Sequence, residues 1–170
     1  MQGSMMKYLN IFKLVIITTL LSLSLSSKAL ERTGRLGIGM SNQFRTDLPA
    51  ISFKIQKSKS TAIGALAAVD TDENEGGWGA GFKLYRNIFE EPQLNFYGAV
   101  LAAMINEKQG SGRSQSGFQF DLTMGSEFSF SGLSSLGFSF EFGVSLNKID
   151  DFRVQTVGDS FIVAAAHFYL

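Results

Sequence analysis

The chain has 170 residues, with 15 basic and 15 acidic side chains, a single histidine and no cysteine. No excess of positive charge marks a nucleic-acid footprint. Without thiols, neither a disulfide framework nor a lipid-modified cysteine is available. Sixteen phenylalanines and eighteen glycines against two prolines suit strands packed side by side rather than a helical domain.

The first element in chain order is a leader. "MKYLNIFK" supplies basic residues Lys7 and Lys13, and "LVIITTLLSLSL" follows as an apolar run over 14–25. That run is shorter than the roughly 20 residues a spanning helix needs. "SSKA" then puts small Ser27 and Ala29 before a predicted cut between Ala29 and Leu30, the pattern of a secretory signal. The leader itself reads as starting at Met5 or Met6, after an extraneous "MQGS". Two regions result: a signal peptide over 1–29, removed on export, and one domain over 30–170. The leader holds three lysines and no acid, so the mature part carries 12 basic and 15 acidic residues, net −3.

Runs of period two between turn signals predict eight strands, near 35–41, 50–56, 60–69, 78–88, 94–106, 117–130, 137–147 and 160–170. The sixth, "FQFDLTMGSEFSF", is representative. Phe118, Phe120, Leu122, Met124, Phe128 and Phe130 leave one face, and Gln119, Asp121, Thr123, Glu127 and Ser129 the other, as alternation across a pleated strand requires. "GFSFEFGVSL" sets Phe138, Phe140, Phe142, Val144 and Leu146 against Ser139, Glu141, Gly143 and Ser145. "GWGAGFKLY" and "AISFKIQ" likewise set Trp78, Phe82 and Phe53 against Lys83 and Lys54. Strands three and five are ambiguous; "AIGALAAV" fits either orientation.

Such strands fit a soluble or a membrane barrel, and the connections discriminate. Those after strands two, four and six are short: "KSK", "FEEPQ" and "SGLSSL". Those after one, three, five and seven are longer or more polar: "NQFRTDLP", "DTDENEGG", "EKQGSGRSQS" and "KIDDFRVQTVGD". An even strand count, short turns on one rim and longer loops on the other is the outer-membrane pattern. Turned inward, the phenylalanines would overfill a lumen just wide enough for ordinary side chains; turned outward, they face lipid. The predicted fold is therefore an all-β, eight-stranded antiparallel up-and-down transmembrane barrel. Phe53, Phe82, Phe118, Phe120, Phe128, Phe130, Phe138, Phe140, Phe142 and Phe168 face lipid, and Trp78, Tyr97 and Tyr169 occupy interfacial girdle positions.

The chain ends inside a strand, "SFIVAAAHFYL", with Ile162, Ala164, Ala166, Phe168 and Leu170 on one face. This resembles the C-terminal strand of outer-membrane β-barrel proteins, which the barrel assembly machinery reads. The usual terminal Phe or Trp is here Leu170, preceded by Phe168 and Tyr169. The whole mature chain resembles the small eight-stranded OmpA/OmpX/OmpW-type barrel domains, and "SGLSSLGFSFEFGVSL" is similar to their sixth-to-seventh strand hairpin. The resemblance implies a bacterial outer-membrane location, insertion by that machinery, and outer-membrane lipid and lipopolysaccharide as neighbours.

Inward charges predict a lumen cluster of Lys54, Lys83, Asp121, Glu127 and Glu141, with Arg35 joining it. Because the outward phenylalanines of strands six and seven share a face, Glu127 falls directly opposite Glu141 or diagonal to it. Two carboxylates that close share a proton or recruit cations. An ion-paired plug is expected, with a selectivity ring in a conducting pore as the alternative.

"DTDENEGG" places Asp70, Asp72 and Asn74 at alternate positions, as in part of a calcium loop. However, Glu75 stands where that loop needs glycine, and Gly81 where it needs its bidentate glutamate. It reads as a solvated acidic loop, bridged through divalent cations to lipopolysaccharide phosphates. His167 lacks an obvious Ser or Asp partner, so a lumenal or interfacial histidine is expected rather than a catalytic one. "GRLGIG", with Gly34, Gly37 and Gly39, has no helix after it to make a nucleotide loop. The expected protein is a monomeric, non-enzymatic envelope barrel without cofactor or metal, acting in membrane integrity or surface contacts. A narrow channel for small solutes and a secreted lipocalin-like soluble barrel are the alternatives.

Overall fold

The computed structural model describes residues 32–45, 48–110, 113–158 and 162–170; the predicted leader lies outside them. Nine strands follow in chain order: β1 (Leu36–Ser41), β2 (Ala50–Ser58), β3 (Thr61–Asp70), β4 (Gly77–Glu91), β5 (Leu94–Gln109), β6 (Arg113–Phe128), β7 (Leu136–Lys148), β8 (Phe152–Thr156) and β9 (Val163–Tyr169). Strands β1 to β7 pair consecutively and antiparallel, and β9 lies between β7 and β1. The sheet closes into an eight-stranded antiparallel barrel, as the alternation predicts.

The eighth barrel position is shared by two strands. β8 pairs with the last residues of β7, up to Val144↔Thr156; β9 pairs with the first ones, up to Glu141↔Val163. Between those two pairs β7 has two residues and the opposing chain six, an excess of four. It turns Val157 inward, where the side chain is buried and its N–H donates to the Gly143 carbonyl. Gly158 takes φ +67° there, a left-handed conformation glycine adopts at little cost. The predicted fourth loop over 148–159 therefore contains a strand.

Closure fixes the stagger. From Met40 the ladder runs through Ile51, Ala67, Ala80, Met104 and Phe118 to Lys148 on β7. In the other direction it runs through Ala166 to Phe138 on the same strand. Lys148 and Phe138 are ten residues apart, so the shear exceeds the strand number, and such a barrel must have strongly tilted strands.

Wall height is uneven. Strands β4, β5 and β6 run 15–16 residues, whereas β1 has six and β9 seven. The short connections β2–β3, β4–β5 and β6–β7 share one end, here the turn rim, with the C-terminus of β9; the opposite end is the loop rim. The third predicted loop is mostly ladder, since β5 and β6 stay paired to Gln109↔Arg113. Its outward residues are polar and bonded across the strands: the Asn106 amide donates to Ser116 Oγ at 2.9 Å and Ser114 Oγ to Asn106 Oδ1 at 2.9 Å. An apolar/polar alternation could not reveal a strand that is polar on its outer face.

Outside, eight of the ten predicted phenylalanines are exposed, and Phe128 and Phe138 are half-buried. The exceptions stack on each other at 5.7 Å, with Phe130 edge-on to Phe128 at 5.6 Å. A second outward pair, Phe89 and Phe96, stacks at 5.3 Å near the β4–β5 turn. Trp78 is exposed toward the loop rim.

Candidate functional site

The chemistry of the chain lies inside the barrel. Most inward positions on β1 to β7 and β9 are buried, and many of them are polar or charged. Lys54, Lys83, Asp121, Glu127 and Glu141 are all there, each less than 5% exposed. The β6–β7 register pairs Gly125 with Glu141 and Glu127 with Ser139, so the two glutamates are diagonal neighbours. Neither alternative of one shared proton or one shared cation is needed, because each has its own lysine. Lys54 Nζ is 2.5 Å from Glu127, and Lys83 Nζ is 2.6 Å from Glu141.

Near the turn rim, Glu127 also receives the Arg32 guanidinium, whose other arm donates to Ser129 Oγ. The Tyr169 hydroxyl donates to Glu127 at 2.8 Å, and Arg32 covers the Tyr169 ring at 4.2 Å. Space for this layer comes from glycine. A Cβ on Gly137 would lie 2.9 Å from Glu127 Oε1 and 3.1 Å from the Tyr169 ring; one on Gly37 would lie 2.8 Å from that ring.

In the middle, Glu141 accepts from Thr123 at 2.8 Å and from the Tyr97 hydroxyl at 2.9 Å. Tyr85 meets Tyr97 edge-on at 5.4 Å and lies under both lysines, 4.5 Å from Lys54 Nζ and 5.1 Å from Lys83 Nζ. Three donors, one of them the Lys83 cation, offset the cost of burying this carboxylate, a cost an unpaired one would bear in full.

Toward the loop rim, the connection between β1 and β2 folds into the barrel. Gln43 and Phe44 are each 1% exposed. The Gln43 amide donates to Asp121 at 3.0 Å and its carbonyl accepts from Lys83. Gln119 donates to Asp121 at 2.9 Å and to the Gln43 backbone carbonyl at 3.0 Å. Phe44 enters an apolar socket of Ala50, Leu66, Leu101, Ala103 and Ile105, with Gly79 beneath its ring. This inward loop was missed in the sequence. The signal for it was the ambiguity of strands three and five, which are apolar on both faces because their inner face holds Phe44.

Three expectations need correction. Arg35 is not in the lumen cluster; its guanidinium donates to the Tyr169 carbonyl at 2.6 Å and to Ser135 Oγ at 3.1 Å, fastening the end of the chain. Arg32, which precedes any periodic segment, takes the inner role. Tyr97 and Tyr169 are not interfacial: both are 1% exposed and point inward. The alternation that turns Phe168 and Phe96 outward necessarily turns their neighbours in. His167 does have a serine, with Ser52 Oγ 2.9 Å from Nε2. At 1% and 2% exposure the pair is buried inside the barrel, which places the histidine in the lumen.

The glycines of "GRLGIG" serve closure of the barrel. Gly34 turns with φ +83°, Gly37 admits the Tyr169 ring, and Gly39 lies so close to the Ala166 carbonyl that a Cβ would overlap it. At the 71–76 loop the carboxylates of Asp70 and Asp72 accept from backbone. Asp70 accepts from the Asp72 N–H at 2.9 Å, and Asp72 from Asn74 at 2.8 Å and Glu75 at 2.9 Å. Those two N–H groups hold the Asp72 carboxyl below its ordinary range. Among the described residues no cluster of His, Cys, Asp and Glu could hold a metal.

Fold and lumen together define a closed small barrel, apolar outside and ion-paired inside. Comparison with protein-family models, with curated proteins and with solved structures finds no match.

Proposed function

We propose that this is an integral outer-membrane barrel of a bacterial envelope, monomeric and non-enzymatic, whose lumen is closed by side chains. It contributes to membrane integrity or to surface contacts through its loop rim. The observation that carries the reading is the inversion of polarity: phenylalanines cover the outside while two lysine–glutamate pairs and three tyrosines pack the inside. A soluble ligand-binding barrel of lipocalin type needs the opposite, a wet exterior and an apolar cavity. In lipid, only a helix or a closed barrel satisfies its backbone, and an outward apolar band of about 25 Å suits that setting.

The uneven rims give the orientation, with short turns and the C-terminus toward the periplasm. Insertion then falls to the barrel assembly machinery, reading the aromatic-rich end of β9. Lipopolysaccharide and phospholipid are the immediate neighbours. Fractionation tests the reading: the mature chain should stay with washed outer membranes, leave them only in detergent, and migrate differently on gels before and after boiling. A monodisperse, folded protein in plain buffer would overturn it.

A further inference from the structure

The lipid-facing wall is not uniform. Where β1 stops at Ser41 and β9 begins at Val163, a groove of about 380 Å³ opens on the outer face. Its lining includes Met40, Pro49, Phe138, Phe140, Ala164 and Ala166. The alanines make a floor one ring lower than the phenylalanines of β7. From this groove we infer a specific seat for one hydrocarbon chain of a membrane lipid, an inference that rests on the membrane reading above.

Three observations select that occupant. Among the described residues no charged side chain lines the groove, whose polar lining is Ser41, Asn42 and Ser139, so an ionised ligand finds no counter-charge among them. The strand end at its edge is already satisfied: the Asn42 N–H donates to the Ala164 carbonyl at 3.3 Å, and Asn42 Oδ1 accepts from the Ala164 N–H at 2.7 Å. An added strand from another protein would find these groups taken, which disfavours pairing by β-augmentation. A second copy would meet the groove with its own concave face, leaving a void where an isologous contact must be self-complementary. A flexible, uncharged chain needing no hydrogen bond fits all three, and the volume lies within the range of ligand-sized cavities.

The test uses the mature protein in vesicles of phosphatidylethanolamine and phosphatidylglycerol, with a fraction of the phosphatidylethanolamine carrying a photoactivatable diazirine on one acyl chain. Cross-links mapped by mass spectrometry should concentrate several-fold on peptides carrying Met40, Phe138–Phe140 and Ala164–Ala166 over the β6 peptide carrying Phe118 and Phe120. Ala166→Phe, which fills the floor, should abolish the excess, and Ala80→Phe, an outward alanine elsewhere, should leave it. Heat-modifiable mobility checks folding of each sample, and the wild-type distribution is a test independent of both variants. Equal labelling of all outward surfaces would overturn the seat, as would an excess unmoved by a folded Ala166→Phe or a concentration-dependent dimer that excludes the label. Failure to enter vesicles at all would instead overturn the membrane reading.

Discussion

At the scale of the residue, Glu141 meets Lys83, Thr123 and Tyr97 at hydrogen-bond distance inside a closed wall. Removing one partner of such a pair costs about 3–5 kcal/mol, whereas replacing both by uncharged groups is nearly neutral. Lys83→Met alone should therefore destabilise the barrel by about 3–5 kcal/mol, and Lys83→Met with Glu141→Gln should recover most of it. Urea unfolding in phospholipid vesicles, followed by tryptophan fluorescence and gel mobility, measures both. Asp72 supports its loop differently. Its carboxyl is held below the ordinary value by two backbone N–H groups, so the order it gives is complete above that value. It is lost as pH falls below about 4, through the folded-state titration. The protection of the Asn74 and Glu75 amides, as exchange relative to an unstructured peptide at the same pH, should fall over that interval in the wild type and be absent throughout in Asp72→Ala. The acids were legible as inward from their parity alone. So were the lysines that meet them, but not which glutamate each takes, because the diagonal offset depends on register, nor Arg32, which lies outside every periodic run.

At the scale of the element, the β1–β2 connection is the part of the lumen that periodicity hid. Gln43 and Phe44 behave as core residues although they belong to a loop. Truncating Phe44 to alanine leaves a cavity among Leu66, Leu101 and Ile105 and should cost about 3–5 kcal/mol by the usual large-to-small effect. The penalty falls on the docked loop, so its release is the cheaper response than unfolding the wall. Trypsin added to intact cells should then cut after Arg45 in Phe44→Ala and spare the wild type. Cleavage at equal rates would mean that the loop is not held by its phenylalanine. The strands themselves were visible in the sequence to within a few residues wherever the outer face is apolar. The extensions of β5 and β6 were not, since polar ladders beyond an apolar band carry no hydrophobic period; β8 does alternate, with Phe152 and Val154 outward, but its five residues are too short a run to stand out from the loop around them.

At the scale of the whole molecule, the interior is obstructed three times in series. Arg32, Glu127, Lys54 and Tyr169 close the turn rim. Lys83, Glu141, Tyr97 and Tyr85 fill the middle. Gln43 and Phe44 stop the loop rim. An eight-stranded barrel has just enough interior for side chains, and here every layer uses it. Obstructions in series are not relieved one at a time: a variant lacking one layer still has two. Planar-bilayer recordings should accordingly find no steady conductance for the wild type, for Arg32→Ala or for Phe44→Ala. The narrow-channel alternative makes the contrary forecast, since a conducting path through charged side chains would already carry current in the wild type and would change selectivity when Glu127 or Glu141 is neutralised. Steady, ion-selective current from the unmodified barrel would therefore decide for transport, and silence from all three proteins would remove the narrow-channel alternative.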